Sequence, residues 1–587
     1  MFNIGRNKVP QEVENGSKSV NTQAELLLTD TAAGLTTAVM LVPQGMAYAM
    51  LAGLPPIMGL YASIVPLLLY AALGTSRQLA IGPMALASLL VASGIQEING
   101  GPDGVQADPI VLGILITLVA GIFQIGMGLF RMGGLVNLLS HPVVSGFTTA
   151  AALIIGTSQL QHVVGFEVPS GSVFNTFAYI VGSATSINHP TLAIGLGAIV
   201  LITLLQRLAP RVPASLVAVV LGIGLSYQLD LASVGVSTLG EIPSGLPVPS
   251  VPEQLNSEMI ERILPVGLAI ALIGFMESIS AAKVYARQYR YDISPSRELV
   301  AMGVANVSSS VFGGYVVGGA LSRTAVNAAA GAQSRFAGVI TAGAVLLVLT
   351  VLTAPFAYLP KAVLAAIILV AVVKLIDVNE VYHLWKIKRD DLVILVVTFL
   401  ATLTLSVESG ILIGVGASLL WLVYSTTRPT VAVLGRLPGT RSFRCVDHFP
   451  DAETFERIII IRMDAQFFFG NVVHLKEAIL RITDEDRELS ALVMDASSMN
   501  ALDSTAADTL EEIIKELRRK RIEIMVSHVK GSVLNVMEHS GLLELLGDGH
   551  VFYEVEDAVQ AALRHRQAVL MGVPAEAEEY GTSDMLD

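Results

Sequence analysis

The sequence predicts an α-helical membrane protein that crosses the bilayer many times and ends in a small α/β domain. Hydrophobic residues make up 53% of the 587 residues and charged residues 14%, unlike an ordinary soluble protein. Apolar segments long enough to cross or half-cross a bilayer recur up to residue 427, and a soluble composition follows Arg428. We therefore expect a transmembrane domain at 26–428 and an α/β domain at 429–567.

The two ends of the chain and its overall charge exclude several classes of protein. The first 25 residues are polar and lack the apolar core of a signal peptide, so a cytosolic segment is expected at 1–25. The acidic segment 568–587 is expected to be disordered. A net charge of −13 argues against a nucleic-acid partner, because phosphate binding needs a basic surface. The single cysteine, Cys445, excludes an internal disulfide and any cysteine metal cluster.

The apolar segments form two sets of seven, which predicts fourteen transmembrane segments. The first set lies at 28–49, 57–73, 83–96, 110–129, 134–156, 172–207 and 213–228. The second set lies at 264–286, 297–312, 323–333, 335–353, 360–376, 391–406 and 409–427. The third member of each set is short and is interrupted by Gly or Pro. This correspondence predicts inverted repeats at about 26–228 and 262–428, with a binding site between two broken helices.

The distribution of basic residues predicts the orientation of the segments. With the amino terminus inside, the connections on the cytosolic side contain Arg77, Arg131, Arg207, Arg211, Arg287, Arg290, Arg297, Arg335, Lys386, Lys388 and Arg389. The connections on the outside contain several acids, with Arg262 and Lys361 as basic exceptions. This asymmetry follows the positive-inside rule. It predicts a plasma-membrane protein whose termini and α/β domain lie in the cytoplasm.

The segment after Arg428 alternates between strand and helix patterns. Strands are predicted at 457–462, 491–495 and 522–527, and helices at 471–483, 504–520 and 531–540. Alternation of this kind indicates a small α/β domain of about a hundred residues.

The segment GGYVVGGALSRTAVNAAAGAQ at 313–333 contains a single arginine, Arg323, in apolar surroundings. An ionisable side chain within the membrane is expensive and indicates a functional site. If a helix begins near Ser322, its free N–H groups and dipole add to the arginine charge and form an anion site. The alternative is that Arg323 pairs with a buried acid and braces the bundle.

A second intramembrane charge, Glu277, lies about nine residues inside the eighth segment, in LIGFMESISAAK. Burial favours a neutral carboxyl and a nearby arginine favours a charged one, so this group can titrate near neutral pH. Our hypothesis is that protonated Glu277 releases Arg323 to hold an anion, which couples proton entry to anion entry. The alternative is a permanent salt bridge between Glu277 and Arg323.

Four segments in combination resemble the SulP family of anion transporters. They are VPQGMAYAMLAGLPPIMGLYAS at 42–63, LGTSRQLAIGPMALAS at 73–88, GGALSRTAVNAAAGAQS at 318–334 and VMDASSMNALDSTAADTL at 493–510. The resemblance extends over about 25–565. It implies a seven-plus-seven inverted repeat divided into core and gate domains, a cytosolic STAS domain and a homodimer, and it links an acid at the position of Glu277 to cation coupling.

The resemblance also implies which residues contact the anion. They are Gln44 and Tyr48 from the first segment, Met84 with Ala85 from the third, and Leu321, Ser322 and Arg323 from the tenth. Gln44 and Tyr48 are four residues apart and can face one side of a helix. Tyr48 has the alternative role of an aromatic anchor at the membrane interface. Met84 stands where some relatives have phenylalanine, which leaves the size of the pocket open.

Helix ends within the membrane add charge to this site. Gly82 and Pro83 precede the third segment, and proline is favoured in the first turn of a helix, so the helix is expected to begin near the midplane. Two helix N-termini contribute about half an elementary charge each, and Arg323 contributes one more. About two positive charges would then oppose a dianion, which favours sulfate.

In the α/β domain, Ser504 occupies the position where related STAS domains carry a phosphorylatable serine, and it is a candidate regulatory residue. The alternative is that Ser504 caps the helix that follows. The sequence contains no GxxxxGKS loop, so ATP-driven transport has no support and no cofactor is expected. His141, His162 and His189 are scattered and form no metal-binding pair, so an enzyme is not indicated.

These observations predict a secondary active transporter for a small inorganic anion, with proton-coupled sulfate uptake by alternating access favoured. The alternatives within the same fold are sodium-coupled transport of bicarbonate or a dicarboxylate. A passive anion channel or an anion sensor is the alternative from another class. Glu277 separates these classes, because a passive pore has no need of a titratable acid near the midplane.

Overall fold

The protein divides into two compact units, Met1–Ser418 and Leu419–Asp587. The computed structural model describes residues 23–100, 106–134, 140–169, 173–209, 212–241, 245–249, 257–405, 407–485, 488–547 and 549–571. Most of the predicted amino-terminal segment 1–25, and the part of the predicted tail 568–587 that begins at residue 572, lie outside the described residues.

The first half of the membrane unit consists of helices and one very short strand. These are α1 (Gln23–Leu51), α2 (Pro56–Tyr61), α3 (Val65–Leu73), β1 (Ile81–Gly82), α4 (Ala85–Asn99), α5 (Pro109–Leu129), α6 (His141–Val164), α7 (Val173–Gly182), α8 (His189–Leu208) and α9 (Ala214–Leu229). The sequence placed the fifth segment at 134–156, and the structure corrects this to α6. Pro142 lies in the first turn of α6, and Gly165, with a φ of 82°, ends the helix in the left-handed conformation.

The second half repeats this pattern of helices and one short strand. Its elements are α10 (Ser257–Gln288), α11 (Pro295–Val311), β2 (Gly318–Gly319), α12 (Leu321–Ala329), α13 (Phe336–Val351), α14 (Thr353–Phe356), α15 (Lys361–Val372), α16 (Val378–Ile387), α17 (Arg389–Thr404) and α18 (Val407–Thr427). The two halves make equivalent contacts. Helix α1 packs on α12 and α13, and its counterpart α10 packs on α4 and α5. In the same way α3 contacts α13, and α11 contacts α5.

Within the described residues, 8 helices are long and apolar enough to cross a bilayer. Shorter apolar helices accompany them, including α7, α9 and α13. Their length and composition are those of a membrane protein with many spans, as the sequence predicted. The count of fourteen segments stays a prediction.

The second unit is built around a 6-stranded sheet with the order β4-β3-β5-β6-β7-β8. Its elements are β3 (Val431–Arg436), β4 (Phe443–Cys445), β5 (Ile458–Met463), α19 (Val472–Glu485), β6 (Ala491–Asp495), α20 (Ser504–Arg519), β7 (Glu523–Ser527), α21 (Gly531–His539), α22 (Leu542–Leu546), β8 (Val551–Phe552) and α23 (Val555–Met571). Strands β5 to β8 are parallel, and β3 pairs antiparallel with β4 and β5. All residues of β6 are buried, because helices cover both faces of a parallel sheet.

The predicted α/β domain is therefore confirmed, with additions. The sequence found β5, β6, β7 and the helices that follow them within a few residues. It missed β3, β4, β8, α22 and α23. Strands β4 and β8 have only 3 and 2 residues, too few for a period-2 pattern, and α23 begins with a charged turn in which Glu556 and Asp557 interrupt the apolar spacing.

Candidate anion-binding site

Two short buried strands pair within the membrane unit at a point that we call the crossing, and each leads into a short helix. Strand β1 pairs antiparallel with β2, with Ile81 opposite Gly319 and Gly82 opposite Gly318. Helix α4 begins three residues after β1, and α12 begins two residues after β2. The N-termini of α4 and α12 therefore start from one crossing, which is the arrangement that the sequence predicted from its two short segments.

Arg323 holds this crossing together. Its Nε donates a hydrogen bond to Ala80 O (3.1 Å), Nη1 donates to Pro83 O (3.1 Å) and Nη2 donates to Gly318 O (3.0 Å). The side chain is fully buried, at 0% exposure. Its partners are the backbone carbonyls on either side of β1 and one carbonyl of β2, so the alternative of a brace through a buried acid is corrected. A guanidinium has five N–H donors, and two therefore remain beside the crossing.

The N-termini of α4 and α12 have no side-chain cap. Met84 precedes α4 and Ala320 precedes α12, and neither side chain accepts a hydrogen bond from its helix. The first N–H groups of a helix have no partner within the helix. They attract anions, and the helix dipole places about half a positive charge at each N-terminus.

Gln44 and Tyr48 lie on one face of α1, as their spacing predicted. Both residues are buried, with exposures of 6% and 7%. Their polar atoms make no hydrogen bond within the described part of the chain, and these atoms are not sealed from solvent. Tyr48 lies close enough to Arg323 and Glu277 for their charges to act on its hydroxyl. The alternative of an aromatic anchor at the membrane interface is therefore wrong, and both side chains have groups free to bind a ligand.

The remaining predicted contact residues differ in how exposed they are. Leu321 and Ser322, at the start of α12, are exposed, whereas Ala85 is half-buried. Met84 is buried, and its Sδ packs so closely on Gly318 that a Cβ added there would lie 2.4 Å away. The structure therefore brings Ser322 and the N-terminus of α12 to the accessible side, and it places Met84 in the packing behind β1 and β2.

Glu277 lies on α10, beside the crossing. The next residue, Ser278, accepts a hydrogen bond from Gly319 N through its Oγ at 2.7 Å, so this turn of α10 lies against β2. Oε2 of Glu277 is buried and has no hydrogen-bond partner within the described residues. Glu277 and Arg323 interact electrostatically, but no atoms of their charged groups lie within salt-bridge distance. The alternative of a permanent salt bridge between them is corrected.

A set of neutral polar residues supports the crossing, and the sequence analysis missed it. Asn306 donates to Gln124 Oε1 (2.9 Å) and to Val317 O (3.1 Å), and its Oδ1 accepts from Val317 N (2.8 Å). The hydroxyl of Tyr315 lies 3.1 Å from Ser88 Oγ. These groups satisfy the backbone that leads into β2. An amide side chain inside an apolar helix, as in α5 and α11, was the signal that could have identified them.

In the second unit, the structure assigns the cap of α20 to Asp503. Its Oδ1 accepts a hydrogen bond from Ala506 N and its Oδ2 accepts one from Phe469 N, both at 2.8 Å. Ser504 is the first residue of the helix and is exposed. The alternative that Ser504 caps the helix is therefore wrong, because aspartate fills that position. The hydroxyl of Ser504 faces solvent at an acid-capped helix start.

A helical bundle in which two short helices start from a pair of strands, in a chain that also has an α/β unit with a mainly parallel sheet, defines the class of membrane transporters that have a carboxyl-terminal STAS domain. The chain belongs to the Sulfate permease family, whose sequence profile matches residues 27–398. The STAS domain profile matches residues 449–558. The resemblance predicted from the sequence motifs is confirmed. The family is one of transporters and not of enzymes.

Relatives and solved structures agree with this assignment over most of the chain. Sulfate transporter 4.1, chloroplastic, of Arabidopsis thaliana is 36% identical over 93% of this chain and 81% of its own length. A probable sulfate transporter of Mycobacterium tuberculosis is 33% identical over 92% of this chain and 96% of its own. The structure of the murine solute carrier 26 family member A9 anion transporter is similar, with a TM-score of 0.83, 25% identity and coverage of 94% of this chain and 97% of that one.

The transmembrane domain of a cyanobacterial bicarbonate transporter, BicA, shares the fold. It has a TM-score of 0.58 at 24% identity and covers 67% of this chain and 97% of its own. The membrane unit therefore has the fold of known anion transporters.

Proposed function

We propose that the protein takes up sulfate together with protons by alternating access. The observation that carries the proposal is Oε2 of Glu277, a buried carboxylate oxygen beside the pair of strands β1 and β2 that has no hydrogen-bond partner in the described part of the chain. Buried polar atoms are usually hydrogen-bonded, and an exception calls for a functional explanation. A proton is the ligand that such a carboxylate can take without any rearrangement of its neighbours.

The proposed anion site consists of the uncapped N-termini of α4 and α12, Ser322, Gln44 and Tyr48. The buried Arg323 contributes its positive charge and its two remaining N–H donors to this site. The helix dipoles and the guanidinium sum to about two positive charges, which matches a dianion. The names of the relatives, which are sulfate transporters of a plant and a bacterium, support sulfate as the anion.

Protonation of Glu277 would couple the two ions through electrostatics. An ionised Glu277 competes with an incoming anion for the field of Arg323, because both are negative. A protonated Glu277 removes this competition, so the anion binds when the proton is bound. Since Arg323 keeps its bonds to the strand carbonyls, the coupling changes the field at the site and does not require Arg323 to swing between partners.

We also propose the orientation, boundaries and assembly that the sequence predicted. Both termini and the STAS domain would lie in the cytoplasm of a cell whose plasma membrane holds the transport domain at 26–428, with the STAS domain at 429–567. The basic residues at the ends of the helices support this orientation. The family resemblance supports a homodimer, and the exposed position of Ser504 supports its role as a regulatory site.

The proposal is tested by uptake of radiolabelled sulfate into liposomes that contain the purified protein, with the membrane potential clamped. For one proton per anion, a gradient of one pH unit supplies about 1.36 kcal/mol, enough for about tenfold accumulation. We expect this accumulation in the wild type and its loss in Glu277→Gln, with slow equilibration remaining. Glu261→Gln is the matched control, because Glu261 lies exposed on the same helix.

The outcomes separate the candidate functions. Accumulation by Glu277→Gln with unchanged pH dependence would exclude this carboxyl as the coupling group. Sulfate uptake that only equilibrates in the wild type would indicate a passive path or a sensor. If bicarbonate competes with sulfate and uptake requires sodium, the substrate is bicarbonate. If succinate competes, the substrate is a dicarboxylate. Substitution of Arg323 is less informative, because it also removes the brace between the two strands.

A further inference from the structure

A groove on the outer surface of the membrane unit lies away from the proposed transport site. It has a volume of about 740 Å³ and runs between α8 and α15, which pack on each other. This volume is within the range of about 300–1,000 Å³ that is usual for ligand sites. We name it the α8–α15 groove.

The walls of the α8–α15 groove are apolar over most of its length. Ile199 on α8 faces Leu369 and Val370 on α15, and Val373 follows α15 in a short turn. Val373 is strongly exposed. Surfaces of this kind on a membrane helix face lipid chains, and a groove between two helices can hold one chain in place.

One end of the groove is cationic. Arg207, in the last turn of α8, and Lys374, in the turn after α15, both line it and are both exposed. Lys374 Nζ donates a hydrogen bond to Gln206 Oε1 at 2.9 Å, which fixes the ammonium at the mouth of the groove. Among the described lining residues these two are the charged ones, so the groove presents two positive charges and no acid.

The distance between the two ends fits a phospholipid. Ile199 and Arg207 are eight residues apart on α8, and the helical rise of about 1.5 Å per residue separates them by about 12 Å along the axis. The cationic end lies at the end of a helix of 20 residues, which spans a bilayer's hydrocarbon core of about 30 Å. Arg207 and Lys374 therefore lie at headgroup depth, and the apolar walls extend into the acyl region.

We propose that the α8–α15 groove binds one anionic phospholipid. The phosphate contacts Arg207 and Lys374, and one acyl chain lies against Ile199, Leu369 and Val370. With the orientation proposed above, this lipid belongs to the cytoplasmic leaflet, where basic pockets between helices recognise acidic headgroups. The proposal concerns binding of a lipid and stands whether or not the protein transports sulfate.

The test compares phosphatidylglycerol with phosphatidylcholine on the full-length protein in detergent. Lipid retention is measured by native mass spectrometry, and thermal unfolding is measured over a titration of each lipid. The double variant Arg207→Gln/Lys374→Gln removes the cationic end. The matched control Lys386→Gln/Arg389→Gln removes two charges from the same side of the membrane, outside the groove. Val373→Trp fills the groove and keeps both cations.

We expect phosphatidylglycerol to bind the wild type and the control alike. Each cation near an anionic lipid contributes about 1 kcal/mol, which is about a fivefold factor in affinity, so the double variant should bind about 30-fold more weakly. Val373→Trp should also lose the preference for phosphatidylglycerol, although its charges remain. Because Val373 is exposed, this variant should fold and show the wild-type size-exclusion profile.

Three results would overturn the proposal. Equal retention of phosphatidylglycerol by the double variant and the control would show that the attraction is not specific to the groove. Stabilisation by glycerol 3-phosphate as strong as that by the lipid would indicate a phosphate site without an acyl chain. A loss of oligomer mass in Val373→Trp, with no lipid dependence in the wild type, would indicate that a second copy of the chain covers the groove.

Discussion

Two glutamates of the membrane unit, Glu298 and Glu277, are in opposite situations. Glu298, at the start of α11, is 1% exposed and accepts hydrogen bonds from Tyr70 OH (2.8 Å), Thr75 N (2.5 Å) and Ser76 N (2.9 Å). Glu277, on α10, has a buried oxygen with no partner among the described residues. The first carboxyl ties α11 to the chain between α3 and β1, whereas Oε2 of the second makes no such connection.

We propose that this difference separates a charge that stabilises the fold from one that takes part in transport. A buried ion is tolerated when hydrogen bonds satisfy it, and it then braces the fold. Asp30 follows the same rule, since its Oδ1 accepts from Gln333 N (2.7 Å) and Ser334 N (3.1 Å). Each half of the membrane unit thus supplies an acid that binds a connection of the other half. We propose that Glu277, whose Oε2 has no such bond among the described residues, is the acid used in the transport cycle.

Glu298→Ala should have the largest effect on stability, because it leaves the donors of Tyr70, Thr75 and Ser76 without their acceptor. Each buried donor left without its acceptor costs about 1–3 kcal/mol, so the loss of this network is a large part of the stability of a typical protein. We expect little folded protein by fluorescence-detected size exclusion. Glu277→Gln should keep the wild-type profile and lose coupled uptake. Equal yields of the two variants would remove the distinction between them.

Gly82→Ala should disturb the crossing next most strongly. Gly82 has a φ of 152°, and a Cβ there would lie 2.8 Å from Leu41 Cδ1 and 3.3 Å from the Arg323 Cζ. Backbone strain of this kind costs about 1–3 kcal/mol. The strained residue lies in β1, where this strand pairs with β2. We expect a lower unfolding temperature and weaker sulfate uptake, both measured on the same preparation of the purified variant. Gly343→Ala is the control, because no atom lies within 4 Å of its added Cβ, and wild-type behaviour of Gly82→Ala would contradict the tight crossing.

Much of the fold could be predicted from the sequence, because hydrophobic length and periodicity survive in any bundle of membrane helices. The interrupted segments around Pro83 and Arg323 indicated the two half-helices, and β5, β6 and β7 followed from their apolar runs. Helix ends were less accurate. In α6 the start depends on Pro142 and the end on the left-handed Gly165, which are local signals that an average over apolar residues does not detect.

The site could be predicted only as a set of residue types. The motifs identified Gln44, Tyr48, Ser322 and Arg323, but partners depend on tertiary contacts between distant parts of the chain. Arg323 was expected to face the anion or an acid, and it binds the carbonyls of Ala80, Pro83 and Gly318. A carbonyl group belongs to every residue, so the sequence gives no signal for such a partner.

A smaller effect is expected where a helix start is satisfied by its own cap. The N-termini of α4 and α12 lack side-chain caps, whereas Asp503 caps α20 and also binds Phe469 N. Asp503→Ala should destabilise the second unit by about 0.5–2 kcal/mol. Ser504→Ala should change stability by less than about 0.5 kcal/mol. Denaturant unfolding of the full chain, followed by a fluorophore on the single cysteine, Cys445, measures both. A larger effect of Ser504→Ala would return the capping role to the serine.

The smallest effect is expected from a satisfied carboxyl near the surface, Glu523 on β7. His550 Nε2 lies 2.9 Å from Glu523 Oε1, and this hydrogen bond lowers the pKa of Glu523 from its usual value of 4.5. A lowered pKa in the folded state stabilises the protein above pH 4.5, and this stabilisation disappears as the pH falls through the folded-state value.

His550→Ala should therefore destabilise the second unit by at most about 1 kcal/mol at pH 6. The loss of unfolding free energy in His550→Ala relative to wild type should shrink towards pH 3. Glu523→Gln cannot titrate at this position, so its unfolding free energy should lack this pH-dependent component. The fluorophore on Cys445 reports both series, and a deficit of His550→Ala that stays constant from pH 6 to pH 3 would assign the role of His550 to packing and not to its bond with the carboxylate.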